Sequence, residues 1–476
     1  MKILFTASEM HPLARTGGLG DVLEALPAAL AARGHEVSVV LPCYRGLRER
    51  ARDTGVRLTV QVGARRVGVE VWETAAPNGV QVFLLRQDEY FDRGGLYGPE
   101  GGDFVDNAER FIWFSKAVVE LARRVVPPPE IVHAHDWQTG LVPVLLRERR
   151  LPFKSVMTIH NLAYQGSFDG WDFALTNLPG DYFTGRGVEF YGRMNLLKGG
   201  ILFADAVTTV SERYAREIQM PEHGCGLDAV IRENAGKLHG ILNGADYATW
   251  NPASDALLPA RYSPAAPAGK AACREALLRE CGLAPEPRGP VLAIVSRLAQ
   301  QKGIDLLLPL LDRLLADDVR LVVLGEGDLA YERDLLIASK RHAGRFAFRQ
   351  SMDEKLAHLI YAGADVFLVP SHFEPCGLGA MYALKYGTLP VARATGGLYE
   401  TIRDYDPTTE SGHGFLFFDA TPEALWDAMM RAKRSFADVP HWQGLMQRAM
   451  ACDFSWEKAV VGYEAVYQRV LKGKLV

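Results

Sequence analysis

The residues best suited to chemistry surround Glu374, an isolated carboxylate in a short loop. This loop joins an apolar run of strand length, residues 364–370, to a helical pattern that begins near Gly377. The first N–H groups of that helix, from Gly377, Leu378 and Gly379, lack intrahelical acceptors and form a potential anion site. The Glu374 carboxylate and an anion bound at this site would repel each other. Their proximity indicates that part of a substrate lies between the two negative charges. Capping of the helix is the alternative function of Glu374.

Two cations lie in a comparable loop earlier in the second half of the chain. Arg297 and Lys302 lie between a predicted strand at 291–296 and a predicted helix at 304–315. Cations on a strand-to-helix loop suit an anionic ligand such as a diphosphate. Ordinary surface charge is the alternative interpretation.

A glycine-rich turn, Arg15–Asp21, follows the first predicted strand and precedes a helix that ends near Gly34. Its glycines let the backbone approach a ligand closely and leave helix N–H groups free. Residues 395–398 repeat the sequence of residues 16–19, Thr-Gly-Gly-Leu, at the matching place in the second half. The repeat predicts two similar domains whose glycine turns line a cleft. A tight packing turn is the alternative for the first motif alone.

Asp136 and His160 each directly follow a predicted strand, so we expect both on the same sheet edge as Arg15. The nearby histidines raise the possibility of a metal site. However, His133 and His135 point to one face of a strand whereas Asp136 leaves it, and no further ligand lies nearby in sequence. We therefore do not predict a metal. Asp136 could equally cap the following helix.

The elements that position these loops alternate along the chain. Apolar strands followed by amphipathic helices recur in both halves, which predicts an α/β fold with parallel sheets and right-handed crossovers. Ligands bind such sheets at the carboxyl ends of the strands. The predicted domains are residues 1–240 and 241–455. A terminal segment, 456–476, carries a helix that we expect to pack back on the first domain.

Composition limits the classes of function. The chain has 476 residues, too many for one core, with 48% hydrophobic residues, 23% charged residues and a net charge of -4. The lack of a basic excess argues against nucleic-acid partners, and no apolar run approaches the length of a membrane span. The six cysteines are scattered and no secretion signal is recognisable. We therefore expect a cytoplasmic protein with reduced thiols.

A set of motifs occurs in order along almost the whole chain, and the set is far more specific than any one motif. Together the motifs resemble those of bacterial glycogen synthases and plant starch synthases. They are Arg15-Thr-Gly-Gly-Leu, His135-Asp-Trp-Gln-Thr-Gly, His160-Asn-Leu-Ala-Tyr-Gln-Gly, Asn243-Gly-Ala-Asp, Trp250-Asn-Pro, Arg297 with Lys302, Glu374-Pro-Cys-Gly-Leu and Thr395-Gly-Gly-Leu.

The resemblance implies a GT-B fold, in which two Rossmann-like doubly wound domains face each other across a cleft. It implies a glucosyltransferase that moves glucose from a nucleotide sugar to the 4-hydroxyl at the non-reducing end of an α-1,4-glucan, as in glycogen synthesis. ADP-glucose is the expected donor and UDP-glucose the alternative. The anomeric configuration would be retained, and neither a metal nor another cofactor would be required.

The resemblance also implies roles for individual residues. Arg297 and Lys302 would grip the donor diphosphate, Glu374 would hold the glucosyl hydroxyls, and His160 would line the reaction centre with Asp136 beside it. The remaining residues implied in substrate binding are Arg15, Gly17, Gly18, Asp21, Asn161, Asn243, Met352, Cys376, Gly377, Leu378, Gly379, Thr395 and Gly396. In this assignment, cations stabilise the negative charge on the phosphate side of the transition state, and a carboxylate stabilises the positive charge on the sugar side.

Three residues depart from the family pattern. Arg15 stands where the family usually has lysine, which changes reach and geometry. Ala245 replaces an isoleucine, which is a packing change. Met352 stands where bacterial relatives often have a tyrosine that stacks on adenine. A thioether can still pack on a base, but the expected preference for ADP is weakened.

Alternative functions and mechanisms remain open from sequence. Double displacement would need two carboxylates about 5 Å apart, and Asp136 is the only candidate partner for Glu374. We therefore favour front-face attack by the acceptor, with the leaving phosphate as base. The rival classes are another retaining transferase such as a sucrose or trehalose-phosphate synthase, an oxidoreductase indicated by residues 325–330 alone, and a non-catalytic glucan-binding protein.

Overall fold

The computed structural model describes residues 1–99, 102–125, 127–286 and 288–473. Residues 474–476 of the predicted terminal segment therefore lie outside the described residues. The chain separates into two compact units. The first unit consists of residues 1–244 together with the C-terminal helix, Trp456–Leu471, and the second consists of residues 245–455.

The described residues of the first unit contain a nine-stranded sheet and a small three-stranded sheet. Their strands in chain order are β1 (Lys2–Thr6), β2 (Glu36–Pro42), β3 (Arg52–Val62), β4 (Arg65–Ala75), β5 (Gln81–Arg86), β6 (Ile131–His135), β7 (Lys154–Ile159), β8 (Ser167–Asp169), β9 (Glu189–Phe190), β10 (Arg193–Asn195), β11 (Ala206–Thr209) and β12 (Leu238–Gly240). The spatial order in the large sheet is β12-β11-β7-β6-β1-β2-β5-β4-β3. Pairing is parallel from β12 to β5, and β4 and β3 add an antiparallel edge.

The helices of the first unit follow the strands as predicted for α/β units. They are α1 (Gly18–Ala32), α2 (Asp88–Phe91), α3 (Asn107–Ala122), α4 (Leu141–Glu148), α5 (Leu196–Phe203), α6 (Glu212–Glu217) and α7 (Asp228–Glu233). In α1 the buried apolar residues recur with helical period at Leu19, Val22, Leu23, Leu26 and Leu30. The apolar face of α1 therefore explains why the helix begins already within the predicted glycine turn, at Gly18.

Strand order in the large sheet determines where a ligand can bind. From β1 the chain continues to β2 on one side, whereas β6, β7 and β11 extend the sheet on the other side. In open parallel sheets a crevice forms at such a reversal, outside the carboxyl ends of the two strands. The glycine turn that follows β1 and the Asp136 loop that follows β6 therefore lie at the expected ligand position of this unit.

The second unit contains a six-stranded sheet that is parallel throughout. Its strands are β13 (Val291–Val295), β14 (Arg320–Leu324), β15 (Phe346–Arg349), β16 (Val366–Val369), β17 (Leu389–Arg393) and β18 (Phe415–Phe417). Its helices are α8 (Gly269–Cys281), α9 (Ile304–Leu307), α10 (Leu311–Ala316), α11 (Leu329–Arg341), α12 (Glu354–Gly363), α13 (Leu378–Lys385), α14 (Gly396–Thr401), α15 (Pro422–Phe436) and α16 (Val439–Met450). Among the described residues of either unit, no helix is long and apolar enough to span a bilayer.

The second sheet has the strand order of a doubly wound Rossmann-like domain. The order β15-β14-β13-β16-β17-β18 reverses between β13 and β16. Lys302 follows β13 and Glu374 follows β16, so both lie in loops at the reversal. The prediction of two Rossmann-like parallel-sheet domains is confirmed.

The C-terminal helix packs on the first unit, as predicted. Its buried residues are Trp456, Val460, Tyr463, Val466, Tyr467 and Val470. Glu464 of this helix accepts hydrogen bonds from Arg33 Nε at 2.7 Å and from His35 Nε2 at 2.9 Å. The helix therefore completes the core of the first unit although it follows the second unit in the chain.

Two predicted elements differ from the structure. The helix predicted at 304–315 is interrupted by a 3-10 turn, Leu308–Leu310, because Pro309 lacks the N–H group that a continuous helix requires. The strand before Glu374 begins at Val366 rather than at residue 364. Asp365 instead uses its carboxylate to accept a hydrogen bond from Val291 N at 2.8 Å.

Candidate active site

Glu374 lies between β16 and α13 with only 8% of its surface exposed. Its Oε2 accepts hydrogen bonds from Lys302 Nζ at 2.7 Å and from Ser371 Oγ at 3.0 Å. The helix α13 is instead preceded by Gly377 as N-cap, without a side-chain hydrogen bond. The alternative interpretation of Glu374 as a helix cap is therefore wrong.

Lys302 and Glu374 form an ion pair inside a pocket of the second unit. The polar and glycine lining of this pocket consists of Ser296, Lys302, Ser371, Glu374, Gly377 and Gly379. A carboxylate loses much of its hydration when it is buried, and an adjacent cation offsets that cost. The resemblance implies that the two residues serve opposite sides of a substrate, whereas here they touch directly.

The backbone around Glu374 is anchored from both neighbouring loops. His372 N donates to Gln301 O at 2.8 Å, and Gln301 Nε2 donates to Phe373 O at 3.2 Å. From β17, Arg393 donates to His372 O. These bonds determine where the Glu374 carboxylate lies. Sequence reasoning missed Gln301, which lies in the loop between β13 and α9, and Arg393, which ends β17.

Thr395 and Gly396 pack behind the Glu374 loop. Gly396 has a positive φ of 47°, and a Cβ on it would lie 2.0 Å from Glu374 O. A Cβ on Gly397 would lie 1.9 Å from Cys376 O, and Gly397 N donates to Glu374 O at 3.1 Å. Only glycine permits so close an approach. The second glycine turn therefore positions the carboxylate loop, and Gly397 is a residue that the prediction missed.

The other predicted residues of the second unit lie at the same sheet edge. Arg297 is exposed after β13, and Met352 follows β15 with 61% of its surface exposed. Cys376 is buried directly before the N-cap of α13. The structure thus brings Arg297 and Met352 to the edge that carries Glu374. The contacts of their side chains with a ligand remain a prediction.

In the first unit, Glu9 organises the first glycine turn. Its carboxylate accepts hydrogen bonds from Thr16 N at 2.6 Å, Thr16 Oγ1 at 2.7 Å and Gly17 N at 3.2 Å. Tyr97 OH donates to the same carboxylate at 2.6 Å. The N–H groups of Thr16 and Gly17, directly before α1, are therefore occupied. Sequence reasoning missed Glu9, whose only local signal is a lone acid after β1.

Arg15 and Asp21 form an ion pair across the same turn. Arg15 Nε lies 3.1 Å from Asp21 Oδ1, and 37% of the Arg15 side chain is exposed. Burial raises the pKa of Asp21 to about 6, and the Arg15 charge opposes that rise. Gly18 is exposed at the start of α1. The pair therefore ties the Arg15 side chain to the first turn of α1.

Asp136 lies after β6 in a backbone conformation that is uncommon for residues other than glycine, with φ of 56°. Its Oδ1 accepts a hydrogen bond from His160 N at 2.8 Å. It makes no side-chain bond to the following 3-10 turn, so the alternative interpretation as a helix cap is wrong. Burial raises the pKa of Asp136 to about 7, although the N–H groups of His160 and Asn161 favour the charged form.

His160 is held by a buried histidine, His135, whose sequence position suggested only a possible metal ligand. His135 Nδ1 lies 2.8 Å from His160 Nε2. Burial lowers the pKa of His160 to about 3 and that of His135 well below its usual value. Both rings are therefore neutral, and one nitrogen donates to the other. His135 Nε2 has no hydrogen-bond partner among the described residues, which favours the His135 proton on Nδ1 and leaves the His160 proton on its own Nδ1.

A second histidine links this pair to the C-terminal helix. The ring centroids of His133 and His135 are 4.2 Å apart. His133 Nδ1 lies 2.8 Å from Tyr467 OH, and its Nε2 lies 2.6 Å from Thr158 Oγ1. The C-terminal helix therefore contacts His133, whose ring packs on His135, the residue that holds His160.

Asn161 and Asn243 complete the predicted residues of the first unit. Asn161 directly follows His160 in the loop after β7. Asn243 is 3% exposed, and its Oδ1 has no hydrogen-bond partner among the described residues. Buried acceptors without partners are uncommon. No group of three or more His, Cys, Asp or Glu side chains suited to a metal ion occurs in the described parts of the chain.

The raised pKa of Asp136 predicts how the free energy of unfolding depends on pH. Between about pH 4 and pH 7 the folded protein retains the Asp136 proton that the unfolded chain has lost, so the unfolding free energy falls as pH rises through this range. The side chain at position 136 cannot titrate in Asp136→Asn. Between pH 5 and pH 8 we therefore expect the free energy of unfolding of this variant to fall by about 2 kcal/mol less than that of the unsubstituted protein. Urea unfolding at both pH values measures the difference, with Asp181→Asn as an exposed control. Equal losses in all three proteins would contradict the prediction.

Comparisons with known proteins identify the fold and the family of this chain. The family model for the starch synthase catalytic domain matches residues 2–233, and that for glycosyl transferases group 1 matches residues 283–435. The catalytic domain of starch synthase IV from Arabidopsis thaliana, solved with ADP and acarbose, superposes with a TM-score of 0.92 at 32% identity over 99% of both chains. Sucrose-phosphate synthase from Thermosynechococcus elongatus shares the fold, with a TM-score of 0.63 at 20% identity over 99% of both chains.

Fold and site together define a glycosyltransferase of the GT-B class. The glycogen synthase of Opitutus terrae is 46% identical over 99% of this chain and 100% of its own length. That of Koribacter versatilis is 47% identical over 98% of each chain. The chain belongs to the glycogen synthase family, and it is a glucosyltransferase of glycogen synthesis.

Proposed function

We propose that this protein transfers glucose from ADP-glucose to the 4-hydroxyl at the non-reducing end of an α-1,4-glucan, with retention of the anomeric configuration. The observation that carries the proposal is the Lys302–Glu374 contact of 2.7 Å at the strand-order reversal of the second sheet. A glycosyl transition state develops positive charge on the sugar and negative charge on the departing diphosphate. A carboxylate and a cation in one pocket match both charges.

In the second unit we assign the donor to the loops around this pair. Lys302 and Arg297 hold the diphosphate, aided by the N–H groups of Leu378 and Gly379 at the start of α13. Glu374 holds the glucosyl hydroxyls and stabilises the positive sugar, and Met352 packs on the nucleobase. These cations and N–H groups supply the positive charge that a metal would otherwise supply, so the proposed reaction uses no metal or other cofactor.

In the first unit we assign the sugar to the loops after β6 and β7. Asp136, His160 and Asn161 bind the transferred glucose or the acceptor end. The turn after β1, with Arg15 and Gly18, binds the donor phosphates. The acceptor hydroxyl attacks on the face that the diphosphate leaves, and the leaving phosphate takes the proton.

Two observations support the choice of donor and of location. The starch synthase IV structure that superposes on this chain holds ADP, which favours ADP-glucose. Met352 in place of a stacking tyrosine leaves UDP-glucose as the alternative. The six cysteines of the chain are free thiols, which supports a cytoplasmic location.

The test is transfer of radiolabelled glucose to glycogen, with ADP-glucose and UDP-glucose compared at equal concentration. We expect incorporation that α-amylase releases, with ADP-glucose at least about tenfold more efficient, a difference of about 1.4 kcal/mol in transition-state binding. Equal rates with both donors would contradict the donor assignment. The absence of incorporation from either donor would contradict the proposed reaction.

A further inference from the structure

Two neighbouring loops of the second unit carry the candidate active site of that unit. The loop after β16 carries Glu374, and the loop after β13 carries Lys302. A Cβ on Gly303 would lie 2.0 Å from Pro370 O, so the two backbones are in contact beside the site. The position of the Glu374 carboxylate relative to the Lys302 ammonium therefore depends on the contacts that join these loops.

His372 and Asp305 form a side-chain pair that joins the same two loops. His372 Nε2 lies 2.9 Å from Asp305 Oδ2 and 3.0 Å from Asp305 Oδ1. Because carboxylate oxygens only accept hydrogen bonds, the imidazole Nε2 carries a proton and donates it to the carboxylate. His372 lies two residues before Glu374, and Asp305 lies three residues after Lys302. The pair therefore bridges the loops within three residues of each member of the Lys302–Glu374 contact.

The backbone of His372 is bonded to the same surroundings as its ring. His372 N donates to Gln301 O at 2.8 Å, and Arg393 donates to His372 O. Ser371, the preceding residue, donates through its Oγ to Glu374 Oε2 at 3.0 Å. A displacement of the imidazole would consequently move the residues that hold the Glu374 carboxylate.

Titratable side chains from several elements surround the pair. They are Asp305 of α9, Lys302 in the turn before α9, Arg393 at the end of β17, Tyr331 of α11 and Glu374 of the same loop. Burial raises the pKa of Tyr331, and the nearby Asp305 charge adds to the rise, so this phenol stays neutral. Histidine is the residue type whose charge generally changes near neutral pH. The strength of the hydrogen bond to Asp305 therefore depends on the protonation of His372.

We propose that the His372–Asp305 pair is a proton-dependent contact that positions Glu374 against Lys302. The inference rests on the proposed function, from which it takes the roles of Glu374 and Lys302, and it makes His372 and Asp305 positioning residues. A protonated imidazole bonds to a carboxylate more strongly than a neutral one, because both partners then carry charge. The two loops are therefore held more tightly below neutral pH than above it.

The effect of this pair falls on catalysis rather than on stability. The His372 side chain is 30% exposed and the Asp305 side chain 40% exposed, and exposed ion pairs contribute little to the free energy of unfolding. Catalysis is more sensitive, since a displacement of about 1 Å at a reacting group can lower the rate about 10²-fold. Loss of the pair should lower kcat while the urea midpoint of unfolding stays nearly unchanged.

The test compares His372→Ala and His372→Arg with the unsubstituted full chain in glucose transfer from ADP-glucose to glycogen. We expect His372→Ala to lower kcat at pH 6 about tenfold or more, with an unchanged KM for glycogen. The rate of the unsubstituted protein relative to His372→Ala should fall about three- to tenfold between pH 6 and pH 8. Arginine is charged at every pH of this range, so the rate of His372→Arg relative to His372→Ala should stay constant. These ratios cancel the titration of all other groups.

Asp305→Ala tests the other partner of the pair. It should lower kcat as much as His372→Ala does, and the double variant should lose no more than either single variant, because both substitutions remove the same contact. His372→Gln keeps a neutral N–H donor and should recover part of the rate at every pH. Losses that multiply in the double variant would contradict a shared contact.

His342→Ala is the matched control, because His342 Nε2 lies 2.7 Å from Asp312 Oδ1 in a pair of the same kind. His342 follows α11 and precedes β15, at the opposite edge of the sheet from Glu374, and its loss should leave kcat unchanged. Equal kcat in His372→Ala and in the unsubstituted protein would overturn the proposal, as would a ratio of the two that stays constant from pH 6 to pH 8. An unsubstituted protein that transfers no glucose would instead contradict the proposed function.

Discussion

Glu374→Ala is expected to lower kcat for glucosyl transfer by about 10³-fold. The carboxylate is the negative group of the pocket, and its loss leaves the positive sugar of the transition state without an opposing charge. The substitution also removes the carboxylate oxygen that lies 2.7 Å from Lys302 Nζ, so the pocket becomes more positive. ADP should consequently bind as tightly as before or more tightly. Single-turnover transfer and calorimetric ADP titration measure the two effects separately.

Glu374→Gln distinguishes charge from shape. The amide keeps the size of the side chain and can still accept the hydrogen bond from Ser371 Oγ, but it has no negative charge. We expect a loss of kcat close to that of Glu374→Ala. Glu423→Ala, an exposed residue of α15, is the control. Turnover of Glu374→Gln within about tenfold of the unsubstituted protein would falsify the electrostatic role of the carboxylate.

Lys302→Ala is expected to weaken ADP and ADP-glucose binding by about 10- to 100-fold, since a hydrogen bond to a charged group contributes about 1.5–3 kcal/mol. The substitution also leaves Glu374 buried without its cation, next to the incoming diphosphate. We therefore expect the unfolding free energy to fall by about 1–3 kcal/mol. Equilibrium titration of ADP and urea unfolding measure these two changes.

The double variant Lys302→Ala with Glu374→Ala separates donor binding from charge compensation. Removal of both charges should restore most of the lost stability, because no unpaired carboxylate remains in the pocket. ADP affinity should recover only in part, since the cation is still missing. Lys340→Ala on α11 is the control for the loss of a surface lysine. Unchanged ADP affinity in Lys302→Ala would show that Lys302 does not bind the donor diphosphate.

The order of the elements and the loops that carry polar groups can be predicted from the sequence alone. Strand patterns, glycine turns and helix starts depend on neighbours along the chain, so residue types report them directly. Glu374, Asp136 and His160 each follow an apolar strand, which is sufficient to predict their place at a sheet edge. The repeated Thr-Gly-Gly-Leu likewise predicts two similar domains, and both sheets confirm it.

Which of these groups touch depends on the order of the strands and on burial in the folded chain. Lys302 and Glu374 are 72 residues apart in the chain and meet because β13 lies beside β16. Glu9 accepts hydrogen bonds from the N–H groups of Thr16 and Gly17, and His135 holds His160, through contacts that no local pattern specifies. Strand order and burial together produce such contacts and shift pKa values such as that of Asp136, and neither is readable from a short stretch of sequence.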